Sequence, residues 1–463
     1  MLTMRGISME KTFQKIVESP AVILDRTVDA SRNLNNKFLT NKHIKKASGY
    51  WRSLGPGLTT GAADDDPSGI ATYSQTGAQY GFQLIWMSLF SFPLMAIVQE
   101  MCARIGLVTG RGLAGNIRMY YPRWILYTCT ILLFAANTLN LGADLGAMAK
   151  ATQLLFPDFQ FGILVVAFAI FILILQVFTT YAKYAKYLKW LALVLLAYVF
   201  SALLIPIDWG KVLVSTLIPS LTFSKEQIFL VCAILGTTIS PYLFFWQTSQ
   251  EVEEEILSGK TTIKLRQEET TDEEIKEMRV DVWSGMFLSN LVMFFIIAAC
   301  AATLYAHGIH NIQTAEDAAK ALRPLAGDKA YFLFALGIIG TGLLAVPVLA
   351  GSASYALAES LKWKYGLYRK LREAYSFYGV IILAMVIGLL INFIGIDPIN
   401  ALIYAAVANG LIAPIILILI LRISSNKKIM GNRVNNTVTT ILGWFITLVM
   451  IIAGAATLLS LFF

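Results

Sequence analysis

Gly55-Pro56-Gly57-Leu58-Thr59-Thr60-Gly61-Ala62-Ala63-Asp64-Asp65-Asp66-Pro67-Ser68-Gly69-Ile70 sets three consecutive carboxylates, a proline and a glycine inside a stretch, 53–80, long enough to be a membrane span. Charged groups at the centre of a bilayer are costly and mark function by default. Proline and glycine beside them break the helical ladder and free backbone carbonyls and amides. Hydrocarbon cannot satisfy those groups, so such a break persists only where it lines a cavity or binds something.

The rest of the chain supports a membrane setting. Of 463 residues, 57% are hydrophobic and only 14% charged, with a mean hydropathy of +0.64. Soluble domains carry about a quarter charged residues. A span needs roughly 20 mostly apolar residues. Such runs fall at 82–103, 161–180, 187–206, 281–306, 330–358, 377–396, 399–421 and 437–463, with more polar ones at 53–80, 124–152 and 226–250. The reading is an all-α polytopic membrane protein with eleven spans.

Basic residues set its expected orientation. With residues 1–52 inside and sides alternating, all of the 37 Lys and Arg lie in inner segments except Lys150, Lys211, Lys225, Lys320, Arg323 and Lys329. The N-terminus is therefore expected in the cytoplasm, the C-terminus outside, and the protein in the plasma membrane. The formal charge of +8 is spread over six short segments rather than one patch, which suits anionic lipid heads better than nucleic acid. Residues 1–47 are polar, mixed in charge and without an apolar core, so a cytoplasmic arm is expected and no cleavable signal peptide. Residues 48–463 form the membrane domain. The acidic stretch 251–281 reads as a solvated helical loop, or else a vestibule that attracts cations.

Cys102, Cys129, Cys232 and Cys300 lie singly in four different apolar runs, as small buried hydrophobes do. His43, His307 and His310 fall in loops. Neither a C-x-x-C, an H-E-x-x-H, a G-x-S-x-G nor a P-loop motif occurs, so no enzyme is expected and no resident cofactor.

Secondary transporters carry broken helices in pairs, at matching places in two inverted repeats. A second break does occur five spans later, at Leu235-Gly236-Thr237-Thr238-Ile239-Ser240-Pro241-Tyr242. The repeats would be helices 1–5, about 53–206, and 6–10, about 226–422, with helix 11, about 437–463, added.

The ordered motifs resemble a known family. Gly55-Pro56-Gly57 followed by Asp66-Pro67-Ser68-Gly69 is similar to the first helix of the NRAMP divalent-metal transporters, whose signature there is D-P-G-N. Ala103-Arg104-Ile105-Gly106-Leu107-Val108-Thr109-Gly110 resembles the end of their second helix, and Ala143-Asp144-Leu145-Gly146 their third. Gly236-Thr237-Thr238-Ile239-Ser240-Pro241 resembles their sixth, G-A-T-V-M-P-H-N. The resemblance implies the amino-acid–polyamine–cation (LeuT-like) fold and divalent-cation transport by alternating access.

Departures from those motifs narrow the expectation. Gly69 replaces the family's Asn, Ser240 its soft-ligand Met, Tyr242 its His, and Ala147 the Glu of D-L-A-E. The ninth helix, 377–396, contains no Arg. This pattern is similar to the NRAMP-related magnesium transporters, which lack the methionine and the coupling residues. Chemistry points the same way, since oxygen-only sites suit Mg²⁺, Ca²⁺ or Mn²⁺ and thioethers softer metals. Mg²⁺ keeps several waters and wants a roomy pocket with one or two carboxylates. Gly69 and Ser240 are expected to empty volume around Asp66.

The expected ligands are Asp66, the Ala63 and Thr237 carbonyls, and Ser240, with Asp65 beside them. Three adjacent carboxylates repel one another unless a cation neutralises them, so Asp65 and Asp64 are candidates for the pathway; capping a helix end is the alternative. Thr238, Tyr242, Asp144, Gln247 and Asn409 are further candidates for the route or outer shell. Asn137 and Asn140 read as interhelical hydrogen bonds, and Glu100 with Arg104 as a local ion pair. The function expected is Mg²⁺ transport, with Mn²⁺ tolerated and without protons. The alternatives are a proton-coupled Mn²⁺ or Fe²⁺ importer and an organic-solute transporter of the same fold, whose anionic substrate Asp64–Asp66 would repel.

Overall fold

The computed structural model describes residues 50–51, 54–310, 312, 315–394 and 398–462, and the expected arm 1–47 lies outside them. The first span is two helices, α1 (Pro56–Asp64) and α2 (Pro67–Tyr80). Then come α3 (Trp86–Thr109), the short α4 (Leu113–Tyr120), α5 (Arg123–Leu155), α6 (Phe161–Phe178) and α7 (Tyr181–Leu203), the last tightened by a 3₁₀ turn at Ala192–Leu195. After α8 (Trp209–Leu217), the sixth span is again two helices, α9 (Lys225–Thr238) and α10 (Pro241–Leu257). The remainder is α11 (Ile263–Glu269), α12 (Asp272–Thr303), α13 (Ala315–Leu361, broken at Gly327), α14 (Tyr375–Ile391), α15 (Pro398–Ser424), α16 (Lys427–Met430) and α17 (Thr437–Phe462). Nine helical runs among the described residues are long and apolar enough to cross a membrane. The shorter apolar α14 and the broken α1–α2 complete the eleven expected spans.

The two halves pack crosswise. The seventh span, α12, lies along both pieces of the first, and the second span, α3, lies along α10 of the sixth. α5 packs on α13, α14 and α15. α6 and α17 are mostly exposed and turn apolar side chains outward, while α3, α9 and α10 are largely enclosed.

Backbone contact holds α1 against α12. A Cβ on Gly57 would lie 2.5 Å from the Val282 amide nitrogen, one on Gly61 2.2 Å from the Gly285 carbonyl oxygen, and one on Gly285 2.1 Å from the Gly57 oxygen. Only glycines permit this approach, a small-residue interface of the kind that packs membrane helices closely. α12 also caps α1. The buried Asp281 carboxylate accepts from the Gly55, Gly57 and Leu58 amides at 2.8, 2.7 and 2.9 Å. An anion there satisfies orphan amides and complements the positive end of the helix dipole.

Two local expectations change. The stretch 251–281 is solvated only in part: α10 runs to Leu257 with Glu251, Glu253 and Glu255 buried, whereas Glu268, Glu269, Asp272 and Glu273 are exposed. Partners make that burial tolerable, local ones for Glu251 and Glu255 and distant ones for Glu253. Glu253 accepts from the Tyr355 hydroxyl and the Leu367 and Tyr368 amides, and Glu254 from the Tyr181 hydroxyl. Glu100 pairs not with Arg104 but with Arg279 of α12, at 3.0 Å, and accepts from the Trp283 indole. Arg104 instead donates to Asn435.

Candidate cation site at the two helix breaks

Both breaks use one local device. α1 ends at Asp65 (φ −83°, ψ 49°), Asp66 is extended (φ −65°, ψ 168°), and Pro67 opens α2. α9 ends at Ile239 (φ −120°, ψ 58°), Ser240 is extended (φ −84°, ψ 130°), and Pro241 opens α10. Proline drives the residue before it out of the α region and is itself at home in the first turn of a helix. Each Asp-Pro or Ser-Pro step therefore stops one helix and starts the next.

The breaks touch. The Tyr242 hydroxyl, one residue past the second proline, donates to the Ala63 carbonyl at 2.8 Å and lies 3.5 Å from Asp66 Oδ2. Across the same contact, a Cβ on Gly69 would meet Thr237 Oγ1 at 3.0 Å. Gly69 thus leaves no gap in this arrangement, contrary to the expected roomier pocket, because Thr237, the Asp64 carbonyl and Tyr73 fill the space.

Asp66 lies at the centre. Its Oδ1 caps α2, accepting from the Gly69 amide at 2.8 Å and from Ser68 Oγ at 2.5 Å. Its Oδ2 accepts from Asn140 Nδ2 of α5 at 2.7 Å. A carboxylate has about four lone-pair sites, so Oδ2 keeps capacity for a cation. Ser240 Oγ lies within hydrogen-bond distance of both the Gly236 and Thr237 carbonyls, at 2.7 and 2.8 Å, so its one proton is shared between its own helix end and the expected Thr237 ligand.

Around Asp66 lie further carboxylates with unpartnered oxygens, though among the described residues no three acidic side chains converge on one point as ligands. Asp64, Asp65 and Asp144 are fully buried, and Asp64 Oδ1, Asp65 Oδ2 and both Asp144 oxygens have no hydrogen-bond partner. Ser289 of α12 donates to Asp64 Oδ2 at 2.8 Å and lies 3.4 Å from Asp65 Oδ1. Asp144 lies one helical turn past Asn140, close enough to Asp66 for the two charges to interact. Asn409 on α15 is buried with its Oδ1 unpartnered, beside a Gly410 that packs on Gly236. Thr238 bonds back to the Ile234 carbonyl at 2.9 Å. Gln247, nearly two turns beyond the break, donates to Glu251 at 2.7 Å and leaves its own oxygen unpartnered. Asn137, by contrast, makes the expected interhelical bonds, to the Leu349 carbonyl and Ser352 of α13.

Sequence reasoning missed Asn140 and Ser289 as neighbours of the carboxylates. Asn140 is one turn from Asp144, and that spacing was the available signal. Ser289 gave none, being a lone serine in an apolar helix.

Two helix breaks meeting amid buried carboxylates, in crosswise-packed inverted repeats, define a LeuT-like membrane transporter architecture. The chain belongs to the Nramp family: the model described as natural resistance-associated macrophage protein-like matches residues 57–460. It is similar to the divalent metal cation transporter MntH of Caldanaerobacter subterraneus subsp. tengcongensis, 27% identical over 441 residues, 93% of this chain and 98% of that one. In fold it is similar to the Eremococcus coleocola manganese transporter, with a TM-score of 0.69 at 19% identity over 91% of this chain and 87% of that one. Mhp1, a nucleobase-cation-symport-1 family transporter, shares the fold at a TM-score of 0.52 and 15% identity, over 88% of this chain and 91% of that one.

Proposed function

We propose that this protein carries a divalent metal cation, Mg²⁺ in preference, across the plasma membrane by alternating access, and without accompanying protons. One observation carries the reading. Four carboxylates, Asp64, Asp65, Asp66 and Asp144, are buried around the meeting of the breaks, with four of their oxygens lacking any donor. Such a cluster calls for positive charge, and a hard divalent cation supplies it.

The donor set supports the choice of metal. Asp66, Ser240, Tyr242, Ser289 and the Ala63 and Thr237 carbonyls offer oxygen only, which suits a hard ion. Tyr242 and Ser240 cap those two carbonyls here, so metal entry exchanges hydroxyl donors for the cation or its waters. Asp65 and Asp64 act through the ion's hydration shell, and Gly69 sets the approach of α2 to α9. With Tyr242 and Ala147 where the family has His and Glu, no obvious relay leads away from Asp66 among the described residues, and Asp144 is the group that could carry a proton. On the charge bias, the N-terminus is cytoplasmic.

Proteoliposome uptake compared for Mg²⁺, Mn²⁺, Ca²⁺ and Cd²⁺ tests this. Mg²⁺ should enter, Mn²⁺ be tolerated and Cd²⁺ gain little, a trapped pH dye should not acidify, and Asp66→Ala should abolish uptake. Uptake of Mn²⁺ that ignores millimolar-scale Mg²⁺ would overturn the selectivity, and acidification during uptake the uncoupled mechanism.

A further inference from the structure

Far from the breaks, where α3, α5 and α13 end together, is a pocket of about 220 Å³ lined by Arg111, Arg118, Lys362, Glu359, Tyr365 and Gly115 among others. Its single carboxylate is engaged through one oxygen. The buried Glu359 accepts from the Gly115 amide at 2.8 Å, capping the first turn of α4. Arg118 donates to the Glu359 backbone carbonyl at 3.0 Å, a neutral partner. Arg111 and Lys362 have no carboxylate within ion-pair distance among the described residues. Three cations thus face one carboxylate, whose Oε2 caps α4 and whose Oε1 has no hydrogen-bond partner. An adjoining cavity of about 300 Å³ adds Arg266, Lys364 and Arg369 against Glu253, whose oxygens are held by Tyr355 and two backbone amides.

Lys362 occupies a place that favours glycine. It follows the end of α13 in the left-handed region, φ 61°, while the next amide, Trp363, closes back onto the Ala358 carbonyl at 2.9 Å. Helices that end this way usually carry glycine there, because a Cβ strains that conformation. Lysine at this place sets an ammonium at the pocket mouth.

Beside the pocket, Met119 and Tyr120 at the end of α4 and Trp124 at the start of the membrane-crossing α5 are exposed, Trp124 at 69%. Exposed aromatic side chains at the end of a span mark the depth of the lipid headgroups. Basic pockets between spans at that depth suit anionic headgroups.

We propose that this pocket holds the phosphate of an anionic phospholipid. Arg111 and Lys362 are its direct ligands, Arg118 lies alongside, and the acyl chains run over the exposed face of α5 at Trp124, Tyr127 and Ile131. The site joins α4 of the first repeat to the end of α13 in the second, so an occupied pocket ties the two together.

Native mass spectrometry of the delipidated full-length protein, titrated with phosphatidylglycerol or phosphatidylcholine, tests this. Phosphatidylglycerol should be retained preferentially. A surface charge contributes about fivefold to anionic-lipid affinity, so Arg111→Gln with Lys362→Gln should weaken binding about 25-fold. Lys427→Gln with Lys428→Gln, removing equal charge from α16, should have less than about a twofold effect, because those charges lie outside the pocket. Lys362→Gly guards against misfolding: it relieves the left-handed strain, should fold at least as stably, and should still bind about fivefold less. Equal losses from the two charge pairs, equal retention of the two lipids, or displacement of phosphatidylglycerol by inorganic phosphate or ATP would each overturn the proposal.

Discussion

Asn140 shows how a single residue acquires its role. Its neighbour one turn earlier, Asn137, bonds only to α13, whereas Asn140 donates to Asp66 Oδ2 at 2.7 Å. An outer-shell donor fixes the orientation of a carboxylate, and its loss typically costs roughly 10- to 100-fold in metal affinity. Asn140→Ala is therefore expected to raise the apparent KM for Mg²⁺ uptake by about tenfold or more, with the maximal rate little changed. Asn137→Ala should lower thermal stability and leave KM alone. Paired uptake curves in proteoliposomes separate the two. A KM for Asn140→Ala equal to that of the parent would mean that Asp66 needs no positioning from α5.

At the scale of elements, α1 depends on a residue far away in the chain. Its first amides are satisfied by Asp281 of α12, and its glycines admit the backbone of the same helix. One rigid partner thus sets both the end and the lateral position of α1, and with them the direction in which Asp64 and Asp65 approach Ser289 on that same α12. Asp281→Ala strands three donors, and each buried group left unsatisfied costs about 1–3 kcal/mol. The expected outcome is a clearly lower melting temperature in detergent or nanodiscs, together with weakened uptake because the first break loses its registration. An unchanged melting temperature would show that water replaces the carboxylate at this helix end.

For the molecule as a whole, the distribution of Lys and Arg fixes the expected sidedness. Lys211 and Glu268 provide a test, because their side chains are 75% and 59% exposed and they belong to segments assigned to opposite sides. In a background lacking Cys102, Cys129, Cys232 and Cys300, an impermeant maleimide applied to intact cells should label Lys211→Cys and spare Glu268→Cys until the membrane is opened. The reverse pattern would invert the topology and move the basic pocket to the outer leaflet.

Class, span count and the two breaks follow from the sequence alone, because each rests on interactions within a few residues. An apolar run must be helical in lipid, and a residue before proline leaves the α region wherever it stands. That the first break falls at Asp66 was legible for the same reason. What surrounds it was not. Asn140 reaches it from 74 residues away, Tyr242 reaches the Ala63 carbonyl from 179, and Ser289 reaches Asp64 from 225. The gap expected at Gly69 is closed by Thr237 from the other repeat, and Glu253, which read as part of a solvated loop, is buried against partners more than a hundred residues away. Local chemistry determines where a chain must bend or break. Which side chains then share the freed backbone depends on how the helices pack, and the partners are set by segments whose own local sequence carries no mark of the meeting.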